Sequence, residues 1–320
     1  MAVTLKDISR VCGINICSVS QALSGNPRAL ELSESTRHRI CDVARQLGYC
    51  RNELARSVVT GKSRIVSVIV NNFALFPPIL DGICAAAVEH NLTIKFVSLS
   101  QDQDLSRSLQ SVKQYRSIGL LGVAFGSDLL FALQQQFLSS QIPCVITNIG
   151  ITGSGVTTIS TDQSAATCLA LDYLYGLGHR DIVFLGDIAP RRESYLAFMS
   201  RFALLPRVLP VVDEVSFTSL LASVPDAVFC CSDTYGVSLL QWLYRRRRFV
   251  PECFSVMGFG GTTASESCSP PLSTVQEPFF EIGYQMLVSL SDLINGRCGH
   301  QHQQLPAQLL IRESTTLRRQ

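Results

Sequence analysis

The sequence predicts an α/β protein: a small all-helical head followed by a two-lobed body built on parallel sheets. Three observations lead there. From residue 65 onward, apolar runs of strand length alternate with helical stretches, the pattern of parallel strands covered by helices on both faces. Before residue 65 there are three short helical patterns and no strand-like run. The charge is also split. The first 64 residues carry ten basic and five acidic side chains, a net +5, within an overall +2, so the remainder carries −3. A basic head on a slightly acidic body points to a polyanionic partner for the head. With 320 residues and 47% hydrophobic content, the chain can bury several cores. The organisation expected is a head over residues 1–60 and a body over 61–320.

In the head, Leu5, Ile8, Val11 and Cys12 recur at helical spacing behind Thr4 as N-cap, and Gly13 stops the helix. The second helix runs from about Ile16 to Leu23, with Asn15 as N-cap and Val19, Ala22 and Leu23 inward. The third follows Ser33 and places Ile40, Val43, Ala44 and Leu47 on one face before Gly48. In the body, the strand candidates are RIVSVIV, LTIKFVSL, GLLGVAFG, PCVITN, RDIVFLG, DAVFCC and FSVMGFG. The helical stretches between them are FPPILDGICAAAVEH, SRSLQSVKQYR, LLFALQQQFLSS, SAATCLALDYLYGLG, SYLAFMSRF, FTSLLAS and TYGVSLLQWLYRRRR. About 255 residues exceed one such sheet, which predicts two lobes with a cleft. Polar residues gather at expected strand ends, at Asn71, Asn148, Asp187 and Asp233, where ligands bind in these folds. No internal repeat is visible.

Several classes are excluded. No stretch reaches the roughly 18 apolar residues of a membrane span, and MAVTLKDISR lacks a secretory apolar segment. The expectation is a cytoplasmic protein with no membrane partner. The twelve cysteines lie scattered in apolar runs such as VFCC and ILDGIC and read as reduced core thiols. Cys12, Cys17, Cys41 and Cys50 lack the close pair spacing of a zinc site, so no metal is expected. GKS at 61–63 is not a phosphate loop, because Arg56 stands where that loop needs glycine. No GxGxxG, GxSxG or HExxH occurs, so neither a cofactor nor an enzyme is expected. His300 and His302 read as surface histidines in a polar loop, and Arg245–Arg248 as a solvated helix C-terminus that suits the helix dipole.

Two short helices joined by a glycine turn, with a third bracing them in a basic head, form a helix-turn-helix whose second helix enters the DNA major groove. Ile16, Cys17 and Gln21 are its outward residues. Gln21 can pair bidentately with adenine, whereas Ile16 and Cys17 offer apolar contact to a thymine methyl. Thr4, Ser18, Ser20 and Ser24 suit phosphate contacts that set register.

The order TLKDISRVCGINICSVSQALSG, LSESTRHRICDVARQLGY and RNELARSVVTGKS closely resembles the DNA-binding head of the lactose and galactose repressor family (LacI/GalR type). The likeness continues in LGHRDIVFLGD, PDAVFCCSDTYGVSLLQWL, VPECFSVMGFG, PPLSTVQEP and LLIRESTTL, and so spans nearly the whole chain. The resemblance implies a homodimer that binds palindromic operator DNA, and a body similar to periplasmic sugar-binding proteins that takes a small effector. It implies a hinge helix at NELARSVV, residues 52–59, with Val58 wedged into the minor groove, and Arg51, Asn52 and Arg56 beside the DNA. Valine is shorter than the family's usual leucine, and Arg51 replaces its common proline. By motif match, Phe76, Asn148, Asp162, Arg191 and Asp233 fall on effector positions.

One departure matters: the family's frequent G-[FY]-D-D reads GFGG, so Gly260 and Gly261 remove two carboxylates. The expected effector is a sugar, sugar phosphate or nucleoside-like molecule, bulkier or more anionic than usual, or else the response is lost. Because the sequence ends at LRRQ, the family's tetramer-forming tail is not expected. The resulting expectation is a repressor. A family member acting without a classical inducer, or as an activator, is the alternative; a solute-binding protein and an α/β enzyme are set aside.

Overall fold

The computed structural model of the chain describes residues 3–24, 32–50, 63–70, 77–99, 105–123, 142–147, 156–297 and 301–318. Arg51, Asn52, Arg56, Val58, Phe76 and Asn148 lie outside these ranges, as do the hinge segment 52–59, the helical stretch expected over 129–140 and the side chain of Ser24. The chain divides into two compact units, Met1–Ser63 and Arg64–Gln320.

The head holds α1 (Leu5–Cys12), α2 (Ile16–Ser24) and α3 (Glu34–Gln46). Each start signal in the sequence is used. Asp7 accepts from both the amide and the hydroxyl of Thr4, at 3.0 and 2.7 Å. Asn15 Oδ1 accepts from the amide of Ser18 at 2.8 Å, and Ser33 Oγ from that of Thr36 at 3.3 Å. These side chains satisfy amides that a helix start leaves orphaned. Gly13 turns the chain between α1 and α2 in the left-handed region, at φ 64, where a side chain costs energy even with open space around it. Ile8, Cys12, Val19, Ala22, Ile40 and Ala44 form one core shared by all three helices.

The body continues with β1 (Ile65–Val70), α4 (Pro77–Glu89), β2 (Thr93–Ser98), α5 (Leu105–Gln114), β3 (Gly119–Val123), β4 (Cys144–Ile146) and β5 (Thr157–Thr161). Then follow α6 (Gln163–Gly176), β6 (Ile182–Leu185), α7 (Ala189–Arg201), β7 (Arg207–Leu209), α8 (Glu214–Ser223), β8 (Ala227–Cys230), α9 (Asp233–Arg245) and β9 (Ser255–Gly260). The last elements are α10 (Thr263–Ser267), β10 (Ser273–Gln276), α11 (Phe279–Ile294), β11 (His302–Leu305) and β12 (Gln308–Leu310).

Two six-stranded sheets result, ordered β11-β5-β4-β3-β1-β2 and β12-β10-β9-β8-β6-β7. The orders are the same position for position. They differ in one ladder: β11 runs parallel to β5, whereas β12 runs antiparallel to β10. Fully buried strands such as β3, β6 and β8 read as continuous apolar runs because helices cover both faces. In the second sheet, α6 and α7 contribute to one core and α8 and α9 to another.

The chain crosses between the sheets at Asp162, at Glu277–Pro278 and at Leu305–Pro306. The crossings are tied together, since the Asp162 amide donates to the Leu305 carbonyl at 3.0 Å. On the first sheet, α4 and α11 touch backbone to backbone. A Cβ on Gly82 would meet the Phe280 carbonyl, and one on Gly283 the Ile79 carbonyl.

Two details correct the sequence reading. His302 lies in strand β11 and not in a loop, with Nδ1 2.8 Å from Thr158 Oγ1. The structure also carries a sheet-level duplication with no counterpart in a sequence repeat.

Candidate functional site

On α2, the buried Val19 and Ala22 press the helix onto α1 and α3. The start of α2 leaves Ile16, 38% exposed, and Cys17 open to solvent. Ser18 and Gln21 are half-buried, so Gln21 stands less far outward than the helical pattern predicts. Thr4 is exposed, but its hydroxyl is committed to the α1 cap. That hydrogen bond, ahead of the Thr4 amide and Arg10, holds the Asp7 carboxyl below its usual range. Among the described residues Arg10 and Arg45 pair with residues on their own helices, at 3.3 and 3.1 Å, and remain about four-fifths exposed. Such pairs hold little energy, so both cations stay available to a polyanion.

The carboxyl ends of the second sheet's strands hold a different chemistry. Arg191 stands in the first turn of α7, where Pro190 opens the helix. It is 3% exposed, and each side of its guanidinium is taken. Nε donates to Gln163 Oε1 at 2.6 Å, Nη1 to the Cys231 carbonyl at 2.6 Å and Nη2 to Glu277 Oε2 at 3.0 Å. Gln163 Nε2 donates in turn to Glu277 Oε1 at 2.8 Å, which closes a ring of three side chains. The Phe259 ring covers one face of the guanidinium at 3.6 Å. Gln163 and Glu277 are each 7% exposed, and each directly follows a crossing or lies within one.

Asp233, 1% exposed, ties the neighbouring strand ends. Oδ1 accepts from Thr274 Oγ1 at 2.6 Å; Oδ2 accepts from the Thr262 amide at 2.7 Å and its hydroxyl at 3.0 Å. It is the first residue of α9, one residue ahead of the helical stretch read from the sequence, and its carboxylate does not cap that helix. Gly258 is required beneath it, since a Cβ there would meet Oδ1. Asp162 is the N-cap of α6, accepting from the Ala165 amide at 2.9 Å.

Of the effector positions read from the sequence, Arg191 and Asp233 thus lie at the ends of one sheet's strands and Asp162 at a crossing. Gln163 and Glu277 were passed over. The sequence signal for them was weak, since a glutamine and a glutamate on opposite sides of 114 residues carry no periodicity.

A cavity of about 450 Å³ lies beside two of the crossings, lined by Pro78, Pro278, Phe279, Phe280, Leu305 and Pro306 with Gln276, Glu277, Glu281, Gln308 and Gly261. None of these is basic. The buried thiols around the sheets are chemically quiet: burial pushes Cys144 up to about 12 and Cys231 up to about 11. Thiolate, the reactive form, is thereby suppressed. Among the described residues no group of His, Cys, Asp and Glu could hold a metal ion, and no helix is long and apolar enough to cross a membrane.

The sequence profile of the periplasmic binding protein-like domain matches residues 171–315. A relative, the HTH-type transcriptional repressor CytR of Escherichia coli strain K12, is 28% identical over 98% of this chain and 96% of its own. The lac repressor dimer bound to operator and the anti-inducer ONPF superposes with a TM-score of 0.84 over 99% of this chain and all of its own, at 19% identity. The complex of the transcriptional regulator CelR with cellobiose gives 0.69 over 98% and 99%, at 22% identity. At those identities the two structures speak for the fold.

Proposed function

We infer that this chain, whose homologues are LacI-family repressors along nearly its full length, is itself a transcriptional repressor of that family. It binds palindromic operator DNA as a homodimer in the cytoplasm and is switched by a small effector, a sugar in the first instance. The observation that carries the reading is the build of α2. A core of Val19 and Ala22 fixes the helix while leaving Ile16 and Cys17 exposed, within a stretch of 64 residues of net +5. A helix held this way offers its start to base edges, and the arginines around it offer charge to phosphates.

In this reading Thr4, Ile16, Cys17, Ser18, Gln21 and Ser24 contact the major groove or its phosphates. Asn52, Arg56 and Val58 belong to a hinge helix over about 52–59, entered at Arg51, which closes a head of residues 1–60 ahead of a body of 61–320. A segment of eight residues is too short to persist as a helix alone and would form on DNA. Phe76, Asn148, Asp162, Arg191 and Asp233 surround the effector. No catalytic role is assigned to the chain.

The test is to select and sequence DNA fragments that the full-length protein retains, with and without panels of sugars and nucleosides. The expected result is a palindromic site preferred over random fragments by at least about 10³-fold, lost or gained when one ligand is added. A preference below about tenfold would sink the repressor reading. A sharp site that no ligand moves would favour a regulator without inducer, for which the internally satisfied Arg191 speaks.

A further inference from the structure

The Gln163–Arg191–Glu277 ring makes an arginine at the strand ends electrically silent. Arg191 is the natural anchor for an anion, having a planar fork of donors that fits phosphate or carboxylate. Here one carboxylate oxygen of the chain already takes Nη2 at 3.0 Å, and glutamine and carbonyl oxygens take Nε and Nη1. Among the described residues the surroundings add no unpaired positive charge. Asp233 brings a second carboxylate to the neighbouring strand ends, and Arg192 is paired with Asp187. The cavity beside the ring carries Glu277 and Glu281 on its wall and, among the described residues, no Lys, Arg or His. A phosphate brought to these strand ends would meet two carboxylates against one neutralised cation, in a buried setting where such repulsion is poorly screened.

We propose that Glu277 sets the charge selectivity of the body's ligand site: by filling the fork of Arg191 from within, it admits uncharged hydroxyl- or amide-bearing ligands and refuses phosphorylated ones. The location of the site rests on the effector reading above; the neutralisation of Arg191 does not. This reverses the expectation, drawn from the missing carboxylates at Gly260 and Gly261, of a more anionic effector. The carboxylate lacking at those two positions is present at 277, on the adjacent strand end.

Inorganic phosphate serves as the probe, in thermal unfolding of the full-length protein against chloride at matched ionic strength. The wild type should show no phosphate-specific rise in Tm. Glu277→Gln, which leaves the fork uncompensated, should rise by about 2 to 4 °C at a phosphate concentration a few times its Kd. Glu277→Asp, which keeps the charge, should behave as the wild type, and Arg191→Gln in the Glu277→Gln background should abolish the gain. A wild type stabilised by phosphate, or a folded Glu277→Gln that ignores it, overturns the proposal and leaves Glu277 a structural partner of Arg191. Should Glu277→Gln fail to fold, wild-type calorimetry decides. Neutral sugars or nucleosides should bind at least tenfold more tightly than their monophosphates, and equal or reversed affinity sinks the idea. A wild type that binds no organic ligand, beside a Glu277→Gln that gains phosphate, would end the effector reading while supporting the role of Glu277.

Discussion

The exposed start of α2 and the closed ring around Arg191 are opposite solutions to placing polar chemistry on a fold. On α2 an apolar underside and the Asn15 cap do the fixing, and Ile16 and Cys17 are left exposed. Around Arg191 the functional groups fix one another, each buried and each satisfied. The first arrangement should tolerate substitution in the fold and fail in recognition. The second should fail in the fold first, because a buried charge that loses its partner cannot return to water.

The largest effect is therefore expected at Arg191. Arg191→Met leaves Glu277 and Gln163 buried without their cation and should cost the body about 3 to 5 kcal/mol. Arg191→Met with Glu277→Leu should recover much of that loss, since no unpaired charge remains. Trp242 is the only tryptophan of the chain and lies in the body's core, so its fluorescence in urea follows this unit. A cost below about 1 kcal/mol for the single variant would mean that the ring is open to water and that the contrast with α2 is false.

Asp233 comes next. Asp233→Asn keeps the shape but turns an amide toward donors: the Thr262 amide and hydroxyl on one oxygen, or the Thr274 hydroxyl on the other. Either the Thr262 amide loses its acceptor, or the Thr274 hydroxyl must turn from donor to acceptor with only the distant Val275 carbonyl, at 3.4 Å, to take its proton, which should cost about 1 to 3 kcal/mol by the same measurement. A loss near zero would show that the carboxylate is not the tie between β10 and the loop after β9.

The same contrast decides what was legible in the sequence. Surface chemistry on a helix follows from periodicity, so α2, its cap at Asn15 and its inward Val19 and Ala22 could be read directly. The fold class followed from long apolar strands such as IVSVIV and SVMGFG. The strands that escaped were short, polar or at a sheet edge: TTIST in β5, RVL in β7, STVQ in β10, HQQL in β11 and QLL in β12. A strand of three to five residues carries too few alternations to stand out, and β5 and β10 lie mostly buried inside their sheets despite their polar sequences. Helix α11 was missed for no such reason, since Ile282, Met286, Leu287 and Leu290 fall at helical spacing and are all buried. At the candidate site, Arg191 and Asp233 could be placed by motif. Their partners Gln163, Glu277, Thr262 and Thr274 are joined to them only by the crossings and by parallel strand pairing, which no local pattern reports.

A smaller effect is expected at Gln21, and it should be confined to DNA. Gln21→Ala should lower affinity for the selected operator by about 1 to 3 kcal/mol and relax preference at one symmetric base pair, with little change on random sequence. Because Gln21 is half-buried rather than fully outward, head stability must be followed alongside, by hydrogen exchange of the α1–α3 amides. An equal loss on specific and random DNA would assign it to phosphate, and a loss explained wholly by a looser head would assign it to packing.

The smallest effect, at Asn15, separates holding the helix from reading with it. Its side chain accepts from the Ser18 amide at 2.8 Å and is exposed to water, so Asn15→Ala should lower the opening free energy of the α2 amides by about 1 kcal/mol. The Trp242 transition should not move, because the body is a separate compact unit. Asn15→Asp keeps an acceptor in the same place and adds a negative charge at the helix N-terminus, which suits the helix dipole and should leave α2 as stable or slightly more so. That same charge stands where an α2 seated in the major groove would bring phosphates close, so operator affinity should fall and should fall most at low salt. If Asn15→Asp weakened neither the helix nor DNA binding, the N-terminus of α2 would not face the duplex, and the assignment of Ile16 and Cys17 to base edges would fall with it.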